Sequence, residues 1–147
     1  MATLERAIQI AAETHAGQVD KGGAPYILHP LRVMMTMETE EERIVAVLHD
    51  VMEDYPKLGP ERVSDGRFSE VVIDALIALT RRPDEDYAGF IARVAQNPLA
   101  TRVKIRDMMD NMDLRRIANP TPQDHDRVKK YARYLPDLLD AKSPPSP

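Results

Sequence analysis

Apolar residues recur three and four positions apart through nearly every segment of the chain, and nowhere do they alternate long enough to make a strand. That period is the signature of amphipathic helices packed on one another. Leu4, Ala7, Ile8, Ala11 and His15 make the first stripe, with Thr3 placed to cap it. From Gly17 to Pro30 glycine and proline gather, so this stretch reads as a loop, and Pro30 suits the first position of a second helix bearing Val33, Met34 and Met37. Thr39-Glu40-Glu41-Glu42 has the form of a capping box and opens a third helix with the stripe Ile44, Val47, Leu48, Val51, which Pro56, Gly59 and Pro60 are expected to end. Val72, Ala75, Leu76 and Leu79 mark a fourth helix, closed by Arg81-Arg82-Pro83. Tyr87, Phe90, Ile91 and Val94 mark a fifth, stopped at Asn97-Pro98, and a sixth runs from Leu99 to about Ile117. Thr121-Pro122 starts a seventh, with Val128, Tyr131, Leu135 and Leu138 on its buried side. The expectation is one all-α domain over residues 1–140, with 141–147 as a disordered tail.

Composition narrows the chemistry. With no cysteine, the chain has no disulfide scaffold, thiolate metal site or cysteine nucleophile. Twenty basic against 24 acidic residues leave a net charge of −4, which offers no electrostatic footprint for nucleic acid. Apolar residues at 43% with 30% charged fit a folded chain. No apolar run approaches the ~20 residues of a membrane span, and the first residues do not resemble a signal peptide, so a cytoplasmic, non-membrane protein is expected.

The third helix carries His49, Asp50, Glu53 and Asp54, which share one strip of its surface. Three carboxylates beside an imidazole repel one another unless a cation joins them; otherwise the strip is a solvated acidic patch. On the sixth helix Asp107 and Asn111 fall on the stripe of Ala100, Val103 and Leu114, facing the core. A carboxylate there needs a metal, several donors or an arginine. Taken with His29 at a loop–helix junction, a four-ligand set is natural. Two imidazoles and two carboxylates suit Mn²⁺ or Fe²⁺, and Zn²⁺ or Mg²⁺ are tolerated.

Three ordered motifs resemble RelA/SpoT-type alarmone hydrolases. They are His15-Ala16-Gly17-Gln18 with Lys21 and Gly23-Ala24-Pro25-Tyr26-Ile27-Leu28-His29-Pro30, then His49-Asp50-Val51-Met52-Glu53-Asp54, then Val103-Lys104-Ile105-Arg106-Asp107 through Asn111. The resemblance spans roughly residues 4–118. It implies an HD-domain bundle of about seven or more helices that removes the 3′-pyrophosphate of (p)ppGpp, a small nucleotide. It implies His29, His49, Asp50 and Asp107 as ligands of one Mn²⁺, and Glu53 and Asp54 as the pair that positions and deprotonates the attacking water. Lys21 matches the motif lysine, Tyr26 the tyrosine packed near the nucleotide, and Asn111 an asparagine that contacts sugar or phosphate. Lys104 and Arg81 or Arg82 are expected as further cations at the mouth. Asp20 departs from the pattern, standing where the family has an arginine on the base; it puts adenine alarmones such as (p)ppApp beside guanine ones as substrates. The alternatives are another HD-type phosphohydrolase and a non-catalytic nucleotide-binding module. His15 is expected to be packed rather than a ligand, His125 to be exposed, and the pairs Met34-Met35 and Met108-Met109 to fill the core.

Overall fold

The computed structural model describes residues 2–142. Eight helices follow in order among them: α1 (Leu4–Thr14), α2 (Leu28–Met35), α3 (Glu40–Asp54), α4 (Leu58–Asp65), α5 (Glu70–Ala78), α6 (Tyr87–Val94), α7 (Pro98–Met112) and α8 (Pro122–Lys142). There is no strand among the described residues, only an isolated bridge between Val19 and Pro25. None of these helices is long and apolar enough to cross a membrane.

Helix α3 is the axis. Its capping box forms as the sequence suggests: the Thr39 hydroxyl accepts from the Glu42 N–H, and the Glu42 carboxylate accepts from the Thr39 N–H. From Ile44 to Val51 the helix is buried on every side, not only along its expected stripe, since Val45 and Ala46 are as buried as Val47, Leu48 and Val51. Helices α1, α2, α4, α5 and α7 surround it, which an all-apolar stretch from Ile44 to Leu48 requires. His49 and Asp50 follow that stretch without a break, so they are carried into the interior by the helix that organises it.

Several expected boundaries move. Pro56, Gly59 and Pro60 end α3 but also open α4, unforeseen in the sequence. Pro60 is its third residue, a first-turn position where the missing N–H has no helical acceptor to lose. A Cβ on Gly59 would stand 2.2 Å from the Val51 carbonyl oxygen, so only glycine lets α4 cross α3 this closely. Pro30 is likewise third rather than first in α2. Helix α7 stops at Met112 instead of Ile117, because Asp113 turns extended and its carboxylate accepts from the Arg115 N–H. Asn97 caps α7 through the Ala100 N–H, with Pro98 at the first position. Helix α8 runs two residues past the expected boundary at 140; of the expected tail, residues 143–147 lie outside the described residues. Met34 and Met108 are buried as expected, but Met35 and Met109 are exposed.

Between α1 and α2 the loop folds into a small hairpin. Asp20 N–H donates to the Ala24 carbonyl and Tyr26 N–H to that of Gln18, with Gly17 and Gly23 supplying left-handed turns at φ +85° and +86°. Gly22 brings the hairpin tip against the segment after α7, where a Cβ would lie 2.6 Å from the Arg116 carbonyl oxygen.

Candidate metal centre

Helices α2, α3 and α7 bring His29, His49, Asp50 and Asp107 together, each at most 9% exposed. One ligating atom from each lies within 4.8 Å of the other three. His29 Nε2 stands 2.9 Å from Asp107 Oδ1 and 3.3 Å from Asp50 Oδ2. His49 Nε2 stands 3.2 Å from Asp50 Oδ2 and 3.3 Å from Asp107 Oδ1, buried and without a properly directed hydrogen bond. Its Nδ1 is engaged by the Ala46 carbonyl one turn back, so Nε2 is left for the cluster.

Burial disfavours a charged His29, yet Asp107, Asp110 and Asp50 overcome it and push its pKa up to about 12. Burial is likewise outweighed at His49 by Asp50 and Asp107, and its pKa rises to about 10. Burial raises the pKa of both carboxyls, but the imidazoles hold Asp50 well below the usual range, and Lys104 with the imidazoles does the same for Asp107. The carboxylates thus draw both imidazoles toward their positively charged form. A divalent cation supplies the same charge at one point, with four nitrogen and oxygen donors already converged, so the residues fit such an ion.

Each of these four side chains is braced from outside the cluster. Tyr26 Oη donates to Asp50 Oδ2 at 2.7 Å, and Asn111 Nδ2 donates to Asp107 Oδ1 at 2.9 Å. Lys104 Nζ donates to Asp107 Oδ2 at 2.9 Å; its side chain is 13% exposed, so it stands behind the centre instead of at the mouth where it was expected. Asp110, which the sequence reading passed over, meets His29 Nδ1 at 2.6 Å. Its spacing of three from Asp107 was the available signal.

Glu53 and Asp54 lie one turn further along α3, exposed. Glu53 accepts from the Arg81 N–H at 3.0 Å, and Asp54 accepts from Gln18 Nε2 at 3.2 Å. Partial burial raises the pKa of both, with Asp50 adding to it. Gln18 also meets buried His15 at Nδ1 and accepts from Tyr55 Oη, so His15 is packed beneath the hairpin and not in the cluster. His125 is exposed on α8.

A cavity of about 370 Å³ opens beside His29, with Tyr26 and Asn111 in its wall. Its cations are Lys21, Arg32, Arg116 and Arg127, of which only Lys21 was anticipated. Arg81 and Arg82 lie instead after α5, where Arg81 meets Glu53 through its backbone. Asp20 also lines the cavity, but its Oδ1 already accepts from the Gly22 and Ala24 N–H groups and fixes the hairpin turn.

The chain is 31% identical over 121 residues to a guanosine-3′,5′-bis(diphosphate) 3′-pyrophosphohydrolase of Aquifex aeolicus, covering 74% of this chain and 17% of the relative. It is 29% identical over 156 residues to a bifunctional (p)ppGpp synthase/hydrolase RelA of Mycobacterium tuberculosis, covering 98% and 19%. The chain belongs to the RelA/SpoT family. A GTP pyrophosphokinase of Myxococcus xanthus is 27% identical, over 96% of this chain and 20% of its own length. The chain thus spans about a fifth of these RelA/SpoT relatives, enzymes named for both making and hydrolysing the nucleotide. No family model matches the chain.

Proposed function

We propose that the chain hydrolyses the 3′-pyrophosphate of a guanosine or adenosine alarmone of the (p)ppGpp class and releases pyrophosphate. A divalent cation, Mn²⁺ foremost, would be held by His29, His49, Asp50 and Asp107. The observation that carries this is the convergence of those four side chains one helical turn from Glu53 and Asp54. When bound, such a cation supplies Lewis acidity and lowers the pKa of water.

The protein's own groups do the rest. Glu53 and Asp54 are partly desolvated carboxylates, anchored by the Arg81 N–H and by Gln18, and their raised pKa values favour taking a proton from water. Water adds to the phosphorus on the 3′ oxygen, that P–O bond breaks, the 3′ oxygen takes up a proton and pyrophosphate leaves. A substrate with several phosphates needs cations, and Lys21, Arg32, Arg116 and Arg127 line the cavity beside His29. On the Glu53 side Arg81 and Lys130 both approach the Tyr87 ring. Burial and repulsion from Arg81, Lys104 and Arg127 lower the Lys130 pKa, and a phosphate beside it would favour its charged form. Asp20 in the cavity wall keeps adenine beside guanine as the base.

Incubation of the chain with Mn²⁺ and ppGpp or ppApp, read by product mass, tests the proposal. GDP or ADP with pyrophosphate is expected, and Glu53→Gln should stop turnover with manganese still bound. Orthophosphate released from simple mononucleotides, or ATP-dependent pyrophosphate transfer to GDP without hydrolysis, would contradict it.

A further inference from the structure

Asp110 lies one turn beyond Asp107 on α7, its side chain 14% exposed, between an imidazole and two guanidinium groups. Its Oδ2 is 2.6 Å from His29 Nδ1. Arg32 donates to it through both Nε and Nη2, at 2.9 and 3.0 Å. Arg116 donates to its backbone carbonyl at 2.9 Å and approaches Oδ2 at 3.4 Å. An ionised carboxylate only accepts, so the proton on His29 Nδ1 is fixed there and Nε2 is the atom turned toward Asp50 and Asp107.

We propose that Asp110 is the positioning residue of the metal centre, holding the His29 ring so that Nε2 is offered to the cation, while Arg32 and Arg116 hold Asp110. The assignment rests on the metal reading above. It ties the centre to the substrate cavity, because Arg32 and Arg116 stand in the cavity wall. The competing role for Asp110 is to neutralise those two arginines, which needs no contact with His29.

Cobalt(II) titrated into the metal-free chain, followed by its visible absorption, separates the two. Asp110→Leu should weaken cobalt binding about 10–100-fold and alter the spectrum, since both the affinity and the ligand field depend on the His29 ring. Asp110→Asn keeps an acceptor oxygen and should fall between, and it decides the matter if the leucine variant fails to fold. Asp113→Asn removes a carboxylate that meets Arg116 but not His29, and it should leave cobalt affinity and spectrum as in the wild type. Wild-type affinity and spectrum in Asp110→Leu or Asp110→Asn would overturn the assignment alone, as would an equal loss in Asp113→Asn. A wild-type chain that takes up no cobalt would overturn the metal reading with it.

Discussion

Each side chain of the proposed metal centre has a second contact that limits its rotation: the Ala46 carbonyl for His49, Asp110 for His29, Tyr26 for Asp50, and Asn111 with Lys104 for Asp107. Tyr26 is the easiest of these to remove cleanly. Tyr26→Phe deletes the 2.7 Å hydrogen bond and keeps the ring against His15 and His29, so Mn²⁺ affinity should fall about 10-fold with the helix content unchanged. Calorimetric titration measures this, and unchanged affinity would show that Asp50 needs no such brace. The grouping of these four side chains was legible in part because an aspartate on a core-facing stripe, Asp107, is costly without a partner, and because His49-Asp50 and His29 stand in the family motifs. Most of their supports were not. Tyr26 lies 24 residues from Asp50 and His29 lies 81 from Asp110, separations that no local pattern encodes. Lys104 was the opposite case, since its spacing of three from Asp107 already allowed the ion pair that draws it inside.

Helix α3 depends on its first turn to start at the right residue. Glu42 completes the capping box and pairs with Arg102 at 2.7 Å. Burial raises its pKa, but the Glu38 and Thr39 N–H groups and Arg102 outweigh that and hold it below the ordinary 4.5. A depressed carboxyl stabilises fully above its unfolded pKa and loses that contribution as pH falls through the folded one. The wild type should therefore exceed Glu42→Gln by about 0.5–1 kcal/mol at neutral pH, and the gap should close as pH drops below 4.5. Denaturant melts at several pH values test this, and a gap constant with pH would show that the charge contributes nothing. At this scale the sequence was most readable at caps, where Thr3 and Thr39 act as their types suggest, whereas Asn97, read only as a helix stop, caps α7. It misled at prolines. Pro30, expected to open α2, stands third in it, and Pro60, expected only to end α3, lies in the first turn of α4, where proline breaks nothing, so a pattern that looks like a terminator can also begin the next helix.

Across the whole molecule, the consecutive helices α2 and α3 and the distant α7 bring together two buried carboxylates and two buried imidazoles. Desolvating so much charge is expensive, and a cation bound only by the folded chain would offset that cost. Mn²⁺ at 100 times its dissociation constant should add about 2.7 kcal/mol to stability, a rise in Tm on the order of 5–10 °C for a chain of this length. Chelation should reverse it; a Tm indifferent to both manganese and chelator would mean that the cluster is satisfied by its own protons. Manganese content of the purified chain, after loading and desalting, tests the shared centre of His29, His49, Asp50 and Asp107 most directly. About one ion per chain is predicted for the wild type and none for His49→Ala that retains its helicity. A wild-type chain that leaves the column without manganese would contradict it.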